Sequence, residues 1–206
     1  MALTDTRFAQ LKMDSQPELF AHVGNTPLLP LRRVTLGLPP RVKVFAKAEW
    51  FNPGGSVKDR PALSIMQNAL ANGLLAHGKR LLDSTSGNMG ISYATFGAAL
   101  GMPVTLAIPA SASPERLTLL RVLGAEIILT DPSEGSDGAI LVARQLAEEK
   151  PDLYWYANQY NNQANSQAHY LSTGPEILAQ TNGQVTHFVA GLGGVPLDVD
   201  LSAREP

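Results

Sequence analysis

The stretch Leu81-Leu82-Asp83-Ser84-Thr85-Ser86-Gly87-Asn88-Met89-Gly90 passes from apolar residues into a turn rich in Ser and Gly. Its pattern predicts a short strand at 81–82, a helix that follows the turn and ends near Leu100, and a strand at 103–108. A strand, a helix and a strand of these lengths form a βαβ unit, in which the two strands are parallel and the crossover is right-handed. This stretch therefore predicts an α/β fold.

The same alternation of strands and helices continues on both sides of this unit. Ser113-Pro114-Glu115 begins a helix because serine is a good N-cap and proline suits the first helical position, whereas Gly73 marks the end of a helix. The further strands are predicted at 42–47, 126–129, 153–157 and 185–190, and the further helices at 58–72, 113–123, 137–149 and most of 163–180. The sequence therefore predicts open, twisted parallel sheets with flanking helices, preceded by a helical arm at 1–20.

Composition and charge exclude several classes of protein. The chain has 206 residues, 44% of them hydrophobic, and a formal net charge of −2, which predicts a folded core and no general attraction to nucleic acid or an anionic membrane. Cysteine is absent, which excludes disulfides, thiolate-bound metals and a cysteine nucleophile. The histidines do not follow a metal-ligand spacing, so no metal site is expected. We expect a cytoplasmic protein, since no apolar stretch reaches bilayer length.

Ligands of open α/β sheets bind beyond the carboxyl ends of the strands, which directs attention to the loops 52–58, 83–90 and 190–195. In the first loop, Lys58 stands at a predicted helix start, where the positive end of the helix dipole disfavours a further positive charge. This position lowers the pKa of a lysine, and a neutral amine can attack an aldehyde to form a Schiff base. The alternative is a solvated lysine that merely opens the helix.

The other two loops combine glycines with polar residues. Backbone N–H groups and hydroxyls at the start of the helix after 83–90 would bind a carboxylate or a phosphate, although Ser, Thr and Asn are also the usual helix caps. The loop Ala190-Gly191-Leu192-Gly193-Gly194-Val195 would hold a phosphate through its backbone N–H groups, but no helix is predicted after it. The residues alone leave both interpretations of the loop 83–90 open, and a phosphate site at 190–195 rests only on its glycines.

Several motifs occur in an order that resembles a known enzyme family. They are Asn25-Thr26-Pro27-Leu28, Asn52 to Arg60, Thr85 to Gly90, Gln159 to Asn165, and Thr173-Gly174-Pro175-Glu176-Ile177. Over about residues 15–193 the chain resembles the pyridoxal-phosphate enzymes of fold type II, the tryptophan-synthase-β-like family. It is most similar to the cysteine synthases (O-acetylserine sulfhydrylases), and the stretch from Thr186 to Gly193 is similar to their B-type branch.

The resemblance implies a cofactor, pyridoxal 5′-phosphate, and the residues that bind it. Lys58 matches the lysine that holds the cofactor covalently and later acts as an acid and a base. Asn88 matches the asparagine that hydrogen-bonds the 3′-oxygen of the cofactor. Gly191, Gly193 and Gly194 correspond to the family's phosphate-binding loop.

The resemblance also implies a substrate, a reaction and partners. The α-carboxylate of an amino-acid substrate would contact Thr85, Ser86, Gly87, Met89 and Gln159. The implied reaction is a β-replacement that forms L-cysteine from O-acetylserine, or a related activated serine, and sulfide or another sulfur donor. Cystathionine β-synthase-like and serine or threonine dehydratase-like activities are the nearest alternatives. Family members usually form homodimers, and some bind serine acetyltransferase.

The sequence also departs from the family pattern. If Gly191 is the first glycine of the family's phosphate loop, Leu192 and Val195 stand where the family carries threonines, whose hydroxyls bond the phosphate. If Gly193 is the first, the loop stops after Gly194, and the hydroxyls are missing in this case as well. The resemblance implies that 1–55 begin a larger domain, 56–158 form a smaller mobile domain and 159–194 return to the larger domain, which would be incomplete, while 195–206 are a tail unlike the family. We therefore expect weak cofactor binding and little activity. The alternative function is a non-catalytic fragment or decoy of such an enzyme.

Overall fold

The computed structural model of the protein describes residues 17–85 and 87–191. Strands β1–β6 span, in order, Leu28–Pro30, Phe45–Lys47, Arg80–Ser84, Val104–Pro109, Glu126–Thr130 and Tyr154–Tyr156. Helices α1–α6 span Asp59–Ala71, Asn88–Leu100, Pro114–Val122, Gly135–Glu149, Gln163–Ala168 and Gly174–Gln180. Short 3-10 helices lie at Glu18–His22 and Glu49–Phe51, and a π-helical turn, His169–Thr173, joins α5 to α6.

A four-stranded parallel sheet forms the centre of the fold, in the order β5-β4-β3-β6. Successive side chains of a strand point to opposite faces. Leu81 packs in the apolar cluster that includes residues of α1, α2 and α3, whereas Leu82 packs with Ala139 and Ala143 of α4. The sheet therefore lies between helices on its two faces, which confirms the predicted α/β class with a parallel sheet and flanking helices.

Strands β1 and β2 form a separate antiparallel pair. The strand predicted at 42–47 is shorter in the structure, and its partner, β1, was not identified from the sequence. The strand predicted at 185–190 is wrong, because these residues have no regular structure and Val189 is 93% exposed. A strand is stabilised by a ladder of backbone hydrogen bonds to a neighbour, and none of the described strands pairs with this segment.

The ends of the helices follow the capping residues in the sequence. The Ser113 hydroxyl accepts a hydrogen bond from the backbone N–H of Arg116 at 3.4 Å, and α3 begins at the next residue, Pro114. Gly73 follows the end of α1 with a φ of +68°, a left-handed conformation that glycine adopts without strain. The helix predicted at 163–180 is confirmed, with the π-helical turn as an interruption.

Some expectations fall on residues outside the described part of the chain. The arm predicted at 1–20 is described only from residue 17, where a 3-10 helix begins at Glu18. Ser86, Gly193, Gly194 and the tail at 195–206 lie outside it. The division into segments 1–55, 56–158 and 159–194 stays a prediction. Within 17–85 and 87–191, no helix combines the length and the apolar character needed to cross a membrane.

Candidate active site

Lys58 lies directly before α1, at the helix start that the sequence predicts. The loop that leads to it turns at Gly55, whose φ is +80°. The residue is half-buried, and this burial lowers the pKa of its amine, because removal from water disfavours the charged ammonium. The structure thus adds desolvation to the helix-dipole argument made from the sequence.

Asp59 connects the loop before α1 to the helix α2. The side chain is fully buried; one carboxylate oxygen accepts the Gly54 backbone N–H, and the other accepts the Ser92 hydroxyl, both at 2.5 Å. The Ser92 hydroxyl also lies 3.0 Å from the carbonyl oxygen of Asn88. Asp59, the residue after Lys58, therefore ties the start of α1 to the first turns of α2, where Asn88 lies.

Thr85 organises the loop between β3 and α2. Its buried hydroxyl oxygen accepts hydrogen bonds from the backbone N–H groups of Gly87 at 3.2 Å and Gly90 at 3.3 Å. Met89 is only 3% exposed and packs in the apolar core, whereas Asn88 is exposed. The N–H groups of Asn88 and Met89 lie in the first turn of α2, where a helix supplies no acceptor. Thr85 thus caps the helix, as the helix-cap interpretation predicts. The N–H groups of Asn88 and Met89 remain for an anion, as the anion-site interpretation requires.

Gln159 lies against the same loop. Its side-chain amide donates a hydrogen bond to the Ser84 carbonyl at 2.6 Å, and its backbone N–H donates to the Asp83 carboxylate at 3.3 Å. Its own carbonyl accepts the Asn165 side-chain amide at 2.9 Å. The structure therefore brings Gln159 to the carboxyl end of β3, beside Thr85, although the two are far apart in the sequence.

The third loop is not brought to this site within the described residues. Gly191 is exposed, and a Cβ built on it would meet nothing within 4 Å. Gly193 and Gly194 lie outside the described part of the chain. A phosphate cradle at these glycines stays a prediction.

A group of charged side chains that the sequence did not predict surrounds the buried Arg60. We call Lys47, Glu49, Arg60 and Glu176 the charge network. Arg60 has a side chain only 1% exposed and pairs with Glu49 at 2.8 Å and with Glu176 at 2.6 Å. Lys47 pairs with Glu176 at 2.5 Å. The network joins β2 and α1 to α6, and with them two of the motifs that carry the resemblance, Asn52 to Arg60 and Thr173 to Ile177.

Thr26 extends the charge network to the Asn25-Thr26-Pro27-Leu28 motif. Its hydroxyl donates to Glu49 at 2.7 Å and lies 3.2 Å from Arg60. The sequence marks Thr26, Arg60 and Glu176 only as members of the motifs that carry the resemblance, since charge and spacing do not reveal which distant side chains pair.

His169 lies in the π-helical turn, within the electrostatic reach of Lys58. Burial, aided by the positive charges of Lys58 and Arg60, lowers the pKa of His169 to about 4. The ring is therefore neutral near pH 7, and its Nδ1 lies 3.0 Å from the Thr173 hydroxyl. Among the described residues, no group of three or more His, Asp or Glu side chains converges in a way that would hold a metal ion.

Comparison with known proteins gives the same family as the motifs. The model of the family described as "Pyridoxal-phosphate dependent enzyme" matches residues 19–197. Cysteine synthase of Aquifex aeolicus (strain VF5) is 55% identical over 172 residues, which are 83% of this chain and 53% of that protein. Cysteine synthase B of Salmonella typhimurium is 42% identical over 171 residues, which are 83% of this chain and 55% of that protein. The chain thus spans about half the length of the curated relatives it matches.

Solved structures are similar over most of the described fold. O-ureido-L-serine synthase superposes with a TM-score of 0.74 at 39% identity, over 81% of this chain and 51% of that chain. Isoform 3 of O-acetylserine sulfhydrylase from Entamoeba histolytica superposes with a TM-score of 0.76 at 34% identity, over 90% of this chain and 54% of that chain. Because the family model covers most of the sequence and the folds agree, the chain belongs to the family of pyridoxal-phosphate dependent enzymes.

Proposed function

We propose that the protein acts in a pyridoxal-phosphate-dependent β-replacement that forms L-cysteine from O-acetylserine, or a related activated serine, and sulfide or another sulfur donor. One observation carries the proposal: Asp59, the residue after Lys58, is hydrogen-bonded through Ser92 to the start of α2. An amine with a lowered pKa close to a helix start suits a site that takes an aldehyde cofactor and an amino-acid carboxylate.

The described side chains fit the reactive end of the cofactor. The Lys58 amine, half-buried and with a lowered pKa, would hold the aldehyde carbon, and the exposed Asn88 amide would hydrogen-bond the 3′-oxygen. Gly191, Gly193 and Gly194 remain the proposed phosphate contacts. When bound, the cofactor supplies an electron sink that makes the Cα–H bond of an amino acid acidic.

Lys58 is also the proposed proton carrier. Burial lowers the pKa of its amine, so a larger fraction of Nζ is neutral and able to accept a proton near neutral pH. In the proposed reaction Nζ takes the proton from the substrate Cα. The neutral His169 nearby adds no further positive charge that would compete with this transfer.

The start of α2 is the proposed site for the substrate carboxylate. The backbone N–H groups in the segment of Thr85, Ser86, Gly87 and Met89 would act together with the positive end of the helix dipole. Met89 would contribute through its backbone, because its side chain is in the core. Gln159, held against Ser84 at 2.6 Å, would contribute its amide from the other side of the loop.

A second candidate is a non-catalytic protein that keeps the fold of the family. The observation that favours it is the third loop: Gly191 is exposed, and Leu192 and Val195 replace residues whose hydroxyls would bond a phosphate. Weak phosphate binding would leave the Lys58 site without a stably held cofactor. This candidate predicts a folded chain that contains no cofactor after purification.

An assay with O-acetylserine and sulfide separates the two candidates. Wild type, Lys58→Ala and the control Lys150→Ala, at an exposed lysine beyond α4, are incubated with excess cofactor, and cysteine is quantified. The proposal predicts cysteine formation by wild type and the control, and a loss of at least about a thousandfold in Lys58→Ala. Equal, background-level product in all three chains contradicts it and supports the non-catalytic candidate.

The same proposal includes the partners and the location that the resemblance implies. These are a homodimer, an association with serine acetyltransferase and a cytoplasmic enzyme. Cystathionine β-synthase-like or dehydratase-like activity would appear in the same assay when homocysteine replaces sulfide, or when the sulfur donor is omitted and the keto acid is measured. Replacement by sulfide as the fastest reaction is the expected result.

A further inference from the structure

Asp83 is a buried carboxyl group for which the proposed chemistry has no use. It stands near the carboxyl end of β3 with a side chain that is fully buried. One of its oxygens accepts the Ser84 backbone N–H at 2.9 Å, and the other accepts the Gln159 backbone N–H at 3.3 Å. A single side chain therefore contacts Gln159 and Ser84, the residue directly before the segment that is proposed to bind the substrate carboxylate.

Asp83 lies where the hydrogen-bond ladder between β3 and β6 stops, so the Gln159 segment needs another contact to hold it to β3. The ladder between β3 and β6 ends with the hydrogen bond from the Ala157 N–H to the Leu82 carbonyl at 2.9 Å. Beyond this point the backbones that follow β3 and β6 separate, and Asn158 has a left-handed conformation with a φ of +48°. The contacts of Asp83 and Ser84 with Gln159 replace the ladder where it stops.

Polar groups surround Asp83. Tyr93 of α2, Tyr156 of β6 and Tyr160 of the following loop face its charge, and α4 brings Arg144 toward Tyr156 and Asp137 toward Tyr160. Among the described residues, no ion pair includes Asp83. Burial is the main cause that raises the pKa of Asp83 to about 7.

Two buried hydroxyls add to the polar surroundings of Asp83. The Tyr93 hydroxyl interacts with the Asp83 carboxylate, and the Tyr156 hydroxyl interacts with Ser84. An ionised carboxylate can accept hydrogen bonds at both oxygens, whereas the protonated acid turns one oxygen into a donor that faces N–H groups. The N–H groups of Ser84 and Gln159 therefore favour the ionised carboxylate, whereas burial, the larger effect, favours the neutral acid.

We propose that Asp83 is a positioning residue for substrate binding, which holds the Gln159 turn against the loop between β3 and α2. The inference rests on the proposed function, because it assumes that these two segments bind the substrate carboxylate. Asp83 itself touches neither substrate nor cofactor.

The test compares Asp83→Asn with Asp131→Asn in the full chain. Asp131 is a matched control, since it also accepts a nearby backbone N–H, that of Ser133 at 2.8 Å, but on the surface. Binding of O-acetylserine is read from the change in absorbance of the cofactor-loaded chain between pH 6 and 8, and hydrogen exchange of 157–162 is measured without cofactor. In Asp83→Asn one buried N–H group loses its acceptor oxygen. We expect this loss to weaken the binding of O-acetylserine about tenfold.

We expect Asp83→Asn to bind O-acetylserine about tenfold more weakly at pH 8 and to exchange faster at 157–162. Its cofactor content should equal that of wild type and of Asp131→Asn. Wild-type affinity and exchange in Asp83→Asn overturn the proposal. So does a parallel loss of cofactor and substrate binding, since that outcome indicates a merely structural role.

A measurement on the wild type alone covers the case in which Asp83→Asn does not fold. In a chain labelled with 13C-aspartate, the Asp83 carboxyl signal should titrate near pH 7 and the Gln159 amide signal should move with it. A Gln159 signal that does not follow Asp83 overturns the proposal. A wild type that takes up no cofactor refutes the proposed function instead, while the exchange and titration data still decide whether Asp83 holds Gln159.

Discussion

Lys58 differs from other lysines of the chain in the groups that surround it. Lys43 and Lys150 are exposed, whereas burial lowers the pKa of Lys58. The lysine is kept in place by its neighbour Asp59, whose two oxygens bind Gly54 and Ser92. At this scale the sequence predicted the lysine and its helix start. It could not predict Asp59 and Ser92 as partners, because their contact joins two helices.

Removal of the Ser92 hydroxyl tests this link. Ser92→Ala leaves a buried oxygen of Asp59 without its donor, which costs about 1–2 kcal/mol of unfolding free energy and loosens the Lys58 loop. We expect cofactor affinity to fall about tenfold, measured by absorbance titration beside urea unfolding. Ser136→Ala, the same change at an exposed site of α4, should alter stability by less than about 0.5 kcal/mol. If the two variants behave alike, Asp59 does not act through Ser92.

Helix α2 and the loop before it depend on a glycine at position 90. A Cβ at Gly90 would overlap Thr85 Cγ2 and would approach Leu106 at 3.2 Å. The sequence predicted the elements on both sides of this loop, because apolar periodicity and capping residues are local signals. The strand at 185–190 was predicted wrongly for the opposite reason, since an apolar segment becomes a strand only beside a partner.

Substitution of Gly90 separates packing from helix propensity. Gly90→Ala should destabilise the fold by about 1–3 kcal/mol through overpacking, although alanine is the better helix former. The double variant with Thr85→Ser removes the overlapping methyl group and keeps the hydroxyl that accepts the N–H groups, so it should recover most of the loss. Urea unfolding measures both. No difference between the single and the double variant would show that Thr85 Cγ2 is not the obstacle.

At the scale of the whole molecule, the charge network holds together parts of the chain that are far apart in sequence. Burial alone would raise the pKa of Glu176, but hydrogen bonds from Arg60 and Lys47 outweigh it and lower the pKa to about 2. The folded state therefore releases this proton more readily than the unfolded chain. The resulting stability is present above about pH 4.5 and is lost as the pH falls through about 2.

Glu176→Gln should reveal this contribution. It leaves the buried Arg60 and the half-buried Lys47 without one carboxylate, which costs about 2–4 kcal/mol at pH 6. The loss of stability between pH 4.5 and 2 should then be less steep than in wild type, as measured by urea unfolding at a series of pH values. Glu148→Gln, at an exposed site of α4, is the control. Identical pH dependence in wild type and Glu176→Gln would contradict the assigned role of the network.

The central claim is that the Lys58 amine forms the covalent attachment site of pyridoxal phosphate. The direct measurement is reduction of the cofactor-loaded chain with borohydride, followed by digestion and mass spectrometry of the peptides. We expect one stably modified lysine, Lys58, and no modification there when Lys58→Ala is treated in the same way. Modification spread over exposed lysines, with Lys58 unmodified, would contradict it.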